Sequence, residues 1–372
     1  MRRKRRVGIE FETPNAFSLT FPFSLPDFSY SEMDAKQTRM SEDMATMDGK
    51  QSKDNTVLVF RIRWTLATVL TSAILFPGLY QPLLNSLWQG LLSSKIYNWS
   101  TFETLWTVFC YAAIEVPLTA TFISHPEWRL SPTPNRSKPK GMRRPARRGW
   151  EAVVYVAPLL ALDLTLVKKF AGVPIEDMLV SGNYPPTVPG HRETFLVPSL
   201  HNFALESPLQ TQRALPIEAP SSRRLALELM GSLFLYDALF FAFHLAMHIM
   251  PGIRTWHRPH HSHGEIHPQI TNQLHVFERL GLVLLANFSL NILGSHVLTR
   301  TLFVPVFVWL LVEIHSGMDL PWAYEKVLPK GWGGGARKHA QHHRDGGGGL
   351  EPYFNWFDGL WDTLQRRIDA TA

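Results

Sequence analysis

The chain has 372 residues, 45% of them apolar, with 12 tryptophans, 23 phenylalanines and a formal charge of +6; its mean hydropathy of −0.06 averages long apolar runs with polar stretches, as in a membrane protein. The single cysteine, Cys110, excludes an internal disulfide and a cysteine-based zinc site, so any metal must rest on imidazole or carboxylate. The basic residues cluster in two blocks flanking apolar segments rather than along one helical face, which argues against a nucleic-acid groove.

Residues 1–56 are polar, lack an apolar period and read as a disordered tail. Its "RRKRR" is not followed at once by an apolar core, so no secretory signal is expected. The first apolar run, Trp64 to Tyr80, extends back through "VLVFRIR" and is long enough to cross a bilayer with Arg61 and Arg63 snorkelling. A second covers Thr104 to Ile123, and both are near the ~20 residues that a ~30 Å hydrocarbon core requires. As a hairpin, they place the tail and the loop Glu127–Gly149, with eight Lys/Arg against one Glu, on one side, expected to be the cytosol.

A third run, Trp150 to Val167, leads into a proline-rich stretch to about Arg223 that reads as a loop or insertion. The fourth, Arg224 to Met250, ends in histidines: at 1.5 Å per residue, His244 falls about 30 Å along, where the helix leaves the hydrocarbon. Leu280–Gly294 and Thr301–Ile314 then form a short hairpin that returns His315 to the same face.

His244 and His248 are one helical turn apart and face the same way, as two ligands of one metal would. Asp237, nearly two turns earlier, is placed to orient a ligand imidazole. His257, His260 and His261 form H-x-x-H-H, repeated by His339, His342 and His343, and each motif is expected to aim three imidazoles at one place. Eight histidines in three groups exceed the three or four ligands of one zinc, which argues for two metals. His315 in "VEIHSGMDLP" is a ninth candidate, with Glu313 and Asp319 adding carboxylates, and imidazole alone does not choose among zinc, copper, iron and nickel. His296 lies nineteen residues before His315, about 28 Å on a helix, and reads as a residue of the lumenal hairpin. His263 and His267 fit no period, and His275, with Glu278 one turn on, is a possible further ligand. The glycine runs Gly333–Gly335 and Gly346–Gly349 hold no phosphate-loop pattern and read as flexible linkage.

H-x-x-x-H, two H-x-x-H-H clusters, "EIHSGMDLPW" and "EPYFNWFDGLWDT" together resemble the fatty acid hydroxylase/sterol desaturase superfamily over about Leu225 to Leu364. Within it, "NILGSHVLTRTLFVPVFVWLLVEIHSGMDLPW" and "LPKGWGGGARKHAQHH" are most similar to the cholesterol 25-hydroxylase and sterol C4-methyl oxidase branch. The resemblance implies a non-haem di-iron centre on the cytosolic face of a helical membrane bundle of the endoplasmic reticulum. By motif, its ligands would be His244, His248, His257, His260, His261, His315, His339, His342 and His343. It also implies O2, electrons from NAD(P)H by way of cytochrome b5, and oxidation of a lipid C–H bond. Met318, where relatives often carry tyrosine, and Gly346–Gly349, in place of a bulkier stretch, depart from that pattern and leave the substrate open.

The expected architecture is all-α: a polytopic membrane helical bundle with a cytosolic histidine-rich dimetal cap. Residues 1–56 would be the tail, 57–223 transmembrane helices with the basic loop and insertion, 224–364 the catalytic domain and 365–372 a C-terminal tail. The expected function is hydroxylation of a sterol or related lipid. The alternatives are a lipid desaturase with the same metals and a non-catalytic membrane scaffold.

Overall fold

The computed structural model describes residues 52–131, 139, 141–142, 145–184, 199–200, 208–263, 265–346 and 348–371. The expected tail up to residue 51, its "RRKRR" and parts of the basic loop and the insertion lie outside them. The chain divides into Met1–Lys53 and Asp54–Ala372, and the second unit holds the helical bundle.

Apart from one antiparallel pair of two-residue strands, Val167–Lys168 with Ser199–Leu200, the described elements are helical. The long ones are α1 (Ser52–Leu75), α2 (Pro77–Ser93), α3 (Phe102–Ser124), α4 (Pro145–Thr165), α5 (Ser222–Ile249), α6 (Pro251–His257), α7 (Val276–Ile292), α8 (Val297–Ile314), α9 (Gly335–Asp345) and α10 (Trp356–Thr371). Among the described residues, four helices are long and apolar enough to cross a membrane: α1 from Thr56, α3, α5 and α8. They make the chain a multi-pass membrane protein.

Two expected runs are drawn differently. Trp64–Tyr80 is broken because Pro77 opens α2, and a residue before proline is driven out of the helical region: Phe76 has φ −123 and ψ 60. The run Trp150–Val167 becomes a helix whose apolar part, Val153–Thr165, is shorter than the four candidate spans.

The core forms where α8 packs against α3 and α5, around Phe122, Tyr236, Phe303, Phe307, Val308 and Val312. The span of α1 buries none of its apolar window in the protein, as expected of a helix surrounded largely by lipid.

Contacts sort the helix ends into two sets. At one end, Ser222 Oγ donates to Ala73 O at 2.8 Å, joining the end of α1 to the start of α5. There too, Glu103 near the start of α3 pairs with Lys168 at 3.0 Å, Arg213 at 3.4 Å and Arg300 near the start of α8 at 3.5 Å. Charges so placed must be paired because desolvation makes a lone one costly. At the other end, Leu130 N donates to Gly317 O and Asp319 N to Trp128 O, each at 2.8 Å, joining the chain after α3 to the chain after α8. Arg63 of α1 also reaches this end, donating from Nε to Val327 O at 2.8 Å. The histidine clusters lie here, so Arg63, Arg129 and the histidines share one end of the bundle.

Candidate metal centre

Three kinds of local structure deliver the imidazoles. α5 carries His244 and His248 in its last turns; α6 ends at His257 and runs into a 3-10 turn, Arg258–His261. His315 caps the end of α8, and α9 carries His339, His342 and His343. All nine are brought together, in two adjoining groups. The first holds His244, His248, His257, His261 and His342; the second holds His260, His315 and His343. His339 joins the second group, with Nε2 2.9 Å from His315 and 3.1 Å from His343.

The expectation that each H-x-x-H-H motif points all three rings at one place is corrected. His257 and His261 enter the first group while His260 enters the second; His339 and His343 enter the second while His342 crosses to the first. On α9, His339 and His343 differ by about 40° while His342 turns about 60° the other way, so its ring faces a different centre. After His257 the chain tightens into a 3-10 turn, and there the rotation of that turn sends His260 to the second group. The motifs are thereby exchanged: each gives its i, i+4 pair to one group and its i+3 ring to the other.

The hydrogen bonds on the outer side of each ring test whether metal fits. His244 Nδ1 bonds Leu350 O at 2.8 Å, His257 Nδ1 bonds Glu278 Oε1 at 2.7 Å and His342 Nδ1 bonds Gly348 O at 2.7 Å. His315 Nδ1 bonds Leu311 O at 2.8 Å and His260 Nδ1 bonds Gln273 O at 3.3 Å. Carbonyl and carboxylate oxygens accept, so these five rings carry their proton on Nδ1 and present a bare Nε2. Those bare nitrogens face one another: His244 and His257 at 2.9 Å, His244 and His342 at 3.2 Å, His260 and His315 at 3.3 Å. Lone pairs so close repel unless a cation lies between them. Ligand bonds of about 2.1 Å put neighbouring nitrogens about 3.0 Å apart at a right angle and about 3.4 Å apart in a tetrahedron, which matches. The donor set fits two metal ions.

Burial, reinforced by neighbouring imidazoles, keeps the rings neutral. The His261 side chain is held down to about 4 and that of His342 to about 3, and His260, His339 and His343 lie well below the usual histidine value. Neutral rings are what a metal requires. In metal-free protein below pH 6.5, the unfolded chain takes up protons that the folded rings refuse. Chelator-treated protein is therefore expected to lose thermal stability as pH falls from 6.5 towards 4, and metal-loaded protein to lose less; melting in detergent at stepped pH measures both.

The expected carboxylates lie elsewhere. Asp237 is fully buried but touches no histidine: its Oδ1 accepts from Tyr353 N at 2.7 Å and Phe354 N at 3.3 Å. It therefore acts on the loop that presents Leu350 O to His244, not on an imidazole. Glu313 accepts from Tyr324 N at 2.7 Å, and Asp319 forms ion pairs with Lys326 at 2.6 Å and Arg337 at 3.4 Å. His275, the possible ligand, caps α7 and stacks on Trp256 with ring centres 5.5 Å apart, outside both groups. His296 caps the start of α8 at the far end of the bundle, where Nε2 meets Glu218 O.

Sequence reasoning missed Glu278 as the partner of His257; its one visible signal, a carboxylate one turn after His275, pointed to the wrong histidine. Three glycines of the second run, Gly346, Gly348 and Gly349, support the site rather than serve as a linker. Gly346 closes α9 with φ 69, Gly348 with φ 57 turns its carbonyl to His342, and a Cβ on Gly349, φ 64, would stand 3.2 Å from His342 Cβ. Gly349→Ala is expected to cost about 1–2 kcal/mol from the left-handed backbone alone. A lower melting temperature and faster metal loss to a chelator would report it. Gly252→Ala, inside α6 and with nothing within 4 Å of the added Cβ, is expected to show neither.

Residues 229–365 match the fatty acid hydroxylase family model. The chain is 36% identical over 152 residues to the cholesterol 25-hydroxylase of Rattus norvegicus, covering 41% of this chain and 51% of the relative. It is 37% identical over 148 residues to a cholesterol 25-hydroxylase-like protein of Danio rerio, covering 40% and 59%. It is 30% identical over 156 residues to the methylsterol monooxygenase erg25A of Aspergillus fumigatus, covering 40% and 50%. The chain thus spans about half the length of the curated relatives it matches, and no solved structure matches it. The match encloses the histidines of α5, the α6 turn, the end of α8 and α9, so the part of the chain that builds the two groups is the part that is similar to the fatty acid hydroxylase family.

Proposed function

We propose that this chain is a membrane-bound non-haem di-iron oxygenase that hydroxylates a C–H bond of a sterol or related lipid, using O2 and two electrons. The observation that carries the reading is the facing of bare Nε2 atoms in two adjoining groups of buried imidazoles. Two irons bound there would supply an oxidant able to attack an alkane C–H bond, which no side chain provides. In the balanced reaction one oxygen atom enters the C–H bond and the other leaves as water, with two electrons drawn from NAD(P)H through a cytochrome b5-type donor and two protons taken from the medium.

The chain's own residues provide the setting. Glu278 and the carbonyls of Leu311, Gly348 and Leu350 hold ring orientation, and burial keeps the rings unprotonated and limits water. The ligands of α5 and α8 sit at the ends of membrane spans, so a lipid reaches them without leaving the bilayer. The printed names of the relatives support a sterol substrate. The end that carries the histidines also carries Arg63, Arg129, Arg254, Arg258, Lys330 and Arg344, and these cations support a cytosolic orientation, with the endoplasmic reticulum as the membrane.

The test supplies iron-replete membranes containing the chain with NADPH, cytochrome b5, its reductase, cholesterol or a 4-methylsterol and isotopically heavy O2. A product gaining one heavy oxygen is expected. A product lacking two hydrogens would replace hydroxylation by desaturation. Well-folded protein purified without metal would remove the catalytic reading in favour of a scaffold.

A further inference from the structure

The C-terminal helix α10 carries a one-sided apolar stripe that the protein does not cover. Phe357 and Trp361 are half-buried, while Trp356, Leu360 and Leu364 are 43%, 57% and 44% exposed. Trp332, 47% exposed, lies beside them with its ring 5.5 Å from Trp356. The charged positions of the helix include Asp358, Asp362, Arg366 and Arg367, of which Asp358 is paired with Lys338 at 2.7 Å.

What covers this stripe is indicated by what it adjoins. The ring of Trp356 rests 4.9 Å from Phe234, and Phe357 lies 5.9 Å from both Phe234 and Phe241. Phe234 belongs to the membrane span α5 and lies about 18 Å from its start, well within a bilayer of ~30 Å. Along the same helix Leu227, Met230 and Phe234 remain exposed, so the stripe of α10 continues the lipid-facing surface of a span. An apolar face with tryptophans at its edge, Asp358 and Asp362 on its back and the long side chain of Arg367 one turn beyond Leu364 suits a helix seated in one leaflet, with that arginine reaching the headgroups.

We propose that the Trp332, Trp356, Leu360 and Leu364 surface of α10 lies against the acyl chains of the leaflet on the histidine side. The occupant is lipid, not a partner protein. The inference does not rest on the identity of the metal. The seat has a mechanical link to the centre: Phe357 N and Asp358 N donate to Glu351 at 2.8 and 3.1 Å, and Asp358 Oδ1 accepts from Leu350 N at 2.9 Å, the residue whose carbonyl holds His244.

Spin labels on Leu360→Cys, Leu364→Cys and Asp362→Cys in lipid nanodiscs test the proposal. Cys110, 3% exposed, stays beyond the reagent. Val69→Cys on α1 serves as the lipid-facing reference and Arg344→Cys as the aqueous one. At 360 and 364, relaxation by oxygen is expected to exceed relaxation by a water-soluble nickel chelate several-fold, as at 69, with the order reversed at 362 and 344. Preference for the chelate at 360 and 364 would overturn the proposal in favour of a helix in water. Protection of both from either agent would overturn it in favour of a second protein copy.

Discussion

His315→Ala is expected to remove one metal ion per chain while leaving the other bound. The variant leaves three imidazoles, His260, His339 and His343, around the second ion, and the five of the first group are untouched. His248→Ala is expected to do less, because His248 is only half-buried, is the outer member of the five, and leaves four rings in place. Elemental analysis of purified protein should give about two, one and two ions per chain for the parent, His315→Ala and His248→Ala, as a two-metal site requires. Lipid oxidation is expected to vanish in His315→Ala and to persist, reduced, in His248→Ala. Loss of both ions from both variants would show that the nine rings hold their metals as one unit, against the division into two groups.

The contrast between neighbours in one motif is sharper still. His342 and His343 are adjacent in sequence yet serve different groups, so each single variant should deplete a different ion. Such a division was hidden from the sequence. One-turn spacing is local, and it placed His244 with His248, His257 with His261 and His339 with His343 correctly. Where the remaining rings, His260 and His342, point depends on how the 3-10 turn after α6 and the whole of α9 are rotated against the bundle, which is tertiary packing. The apolar runs likewise made α3, α5 and α8 legible, while the break at Phe76 turned on one proline inside a run that composition alone would carry through.

Carboxylates were read less well than histidines for a physical reason. Asp237 shares a helical face with His244 by count, but an aspartate side chain is short, and two free backbone N–H groups of the 350–354 loop reach it first. Buried N–H groups must find acceptors, and this demand outweighs any advantage of orienting a ring. Fold and function are joined through that choice, because the same loop then offers Leu350 O to His244.

Glu278 is the carboxyl group that does reach one of the nine imidazoles, and its removal is expected to weaken metal binding about 10–100-fold. Oε1 accepts from His257 Nδ1 at 2.7 Å, with both groups buried. That bond fixes which nitrogen of His257 carries the proton and turns Nε2 toward His244 at 2.9 Å and His261 at 2.8 Å. In Glu278→Ala the ring keeps neither its tautomer nor its angle. Glu278→Gln keeps an oxygen acceptor of the same length, so it should restore most of the orientation. The order of affinity expected in a competition with a chelator is parent, Glu278→Gln, Glu278→Ala. Asp319→Ala, which disturbs only a partly exposed ion pair with Lys326 and Arg337, is the control expected to leave affinity unchanged. Equal affinity in Glu278→Ala and the parent would mean that packing alone aims His257, and the hydrogen bond would lose its role.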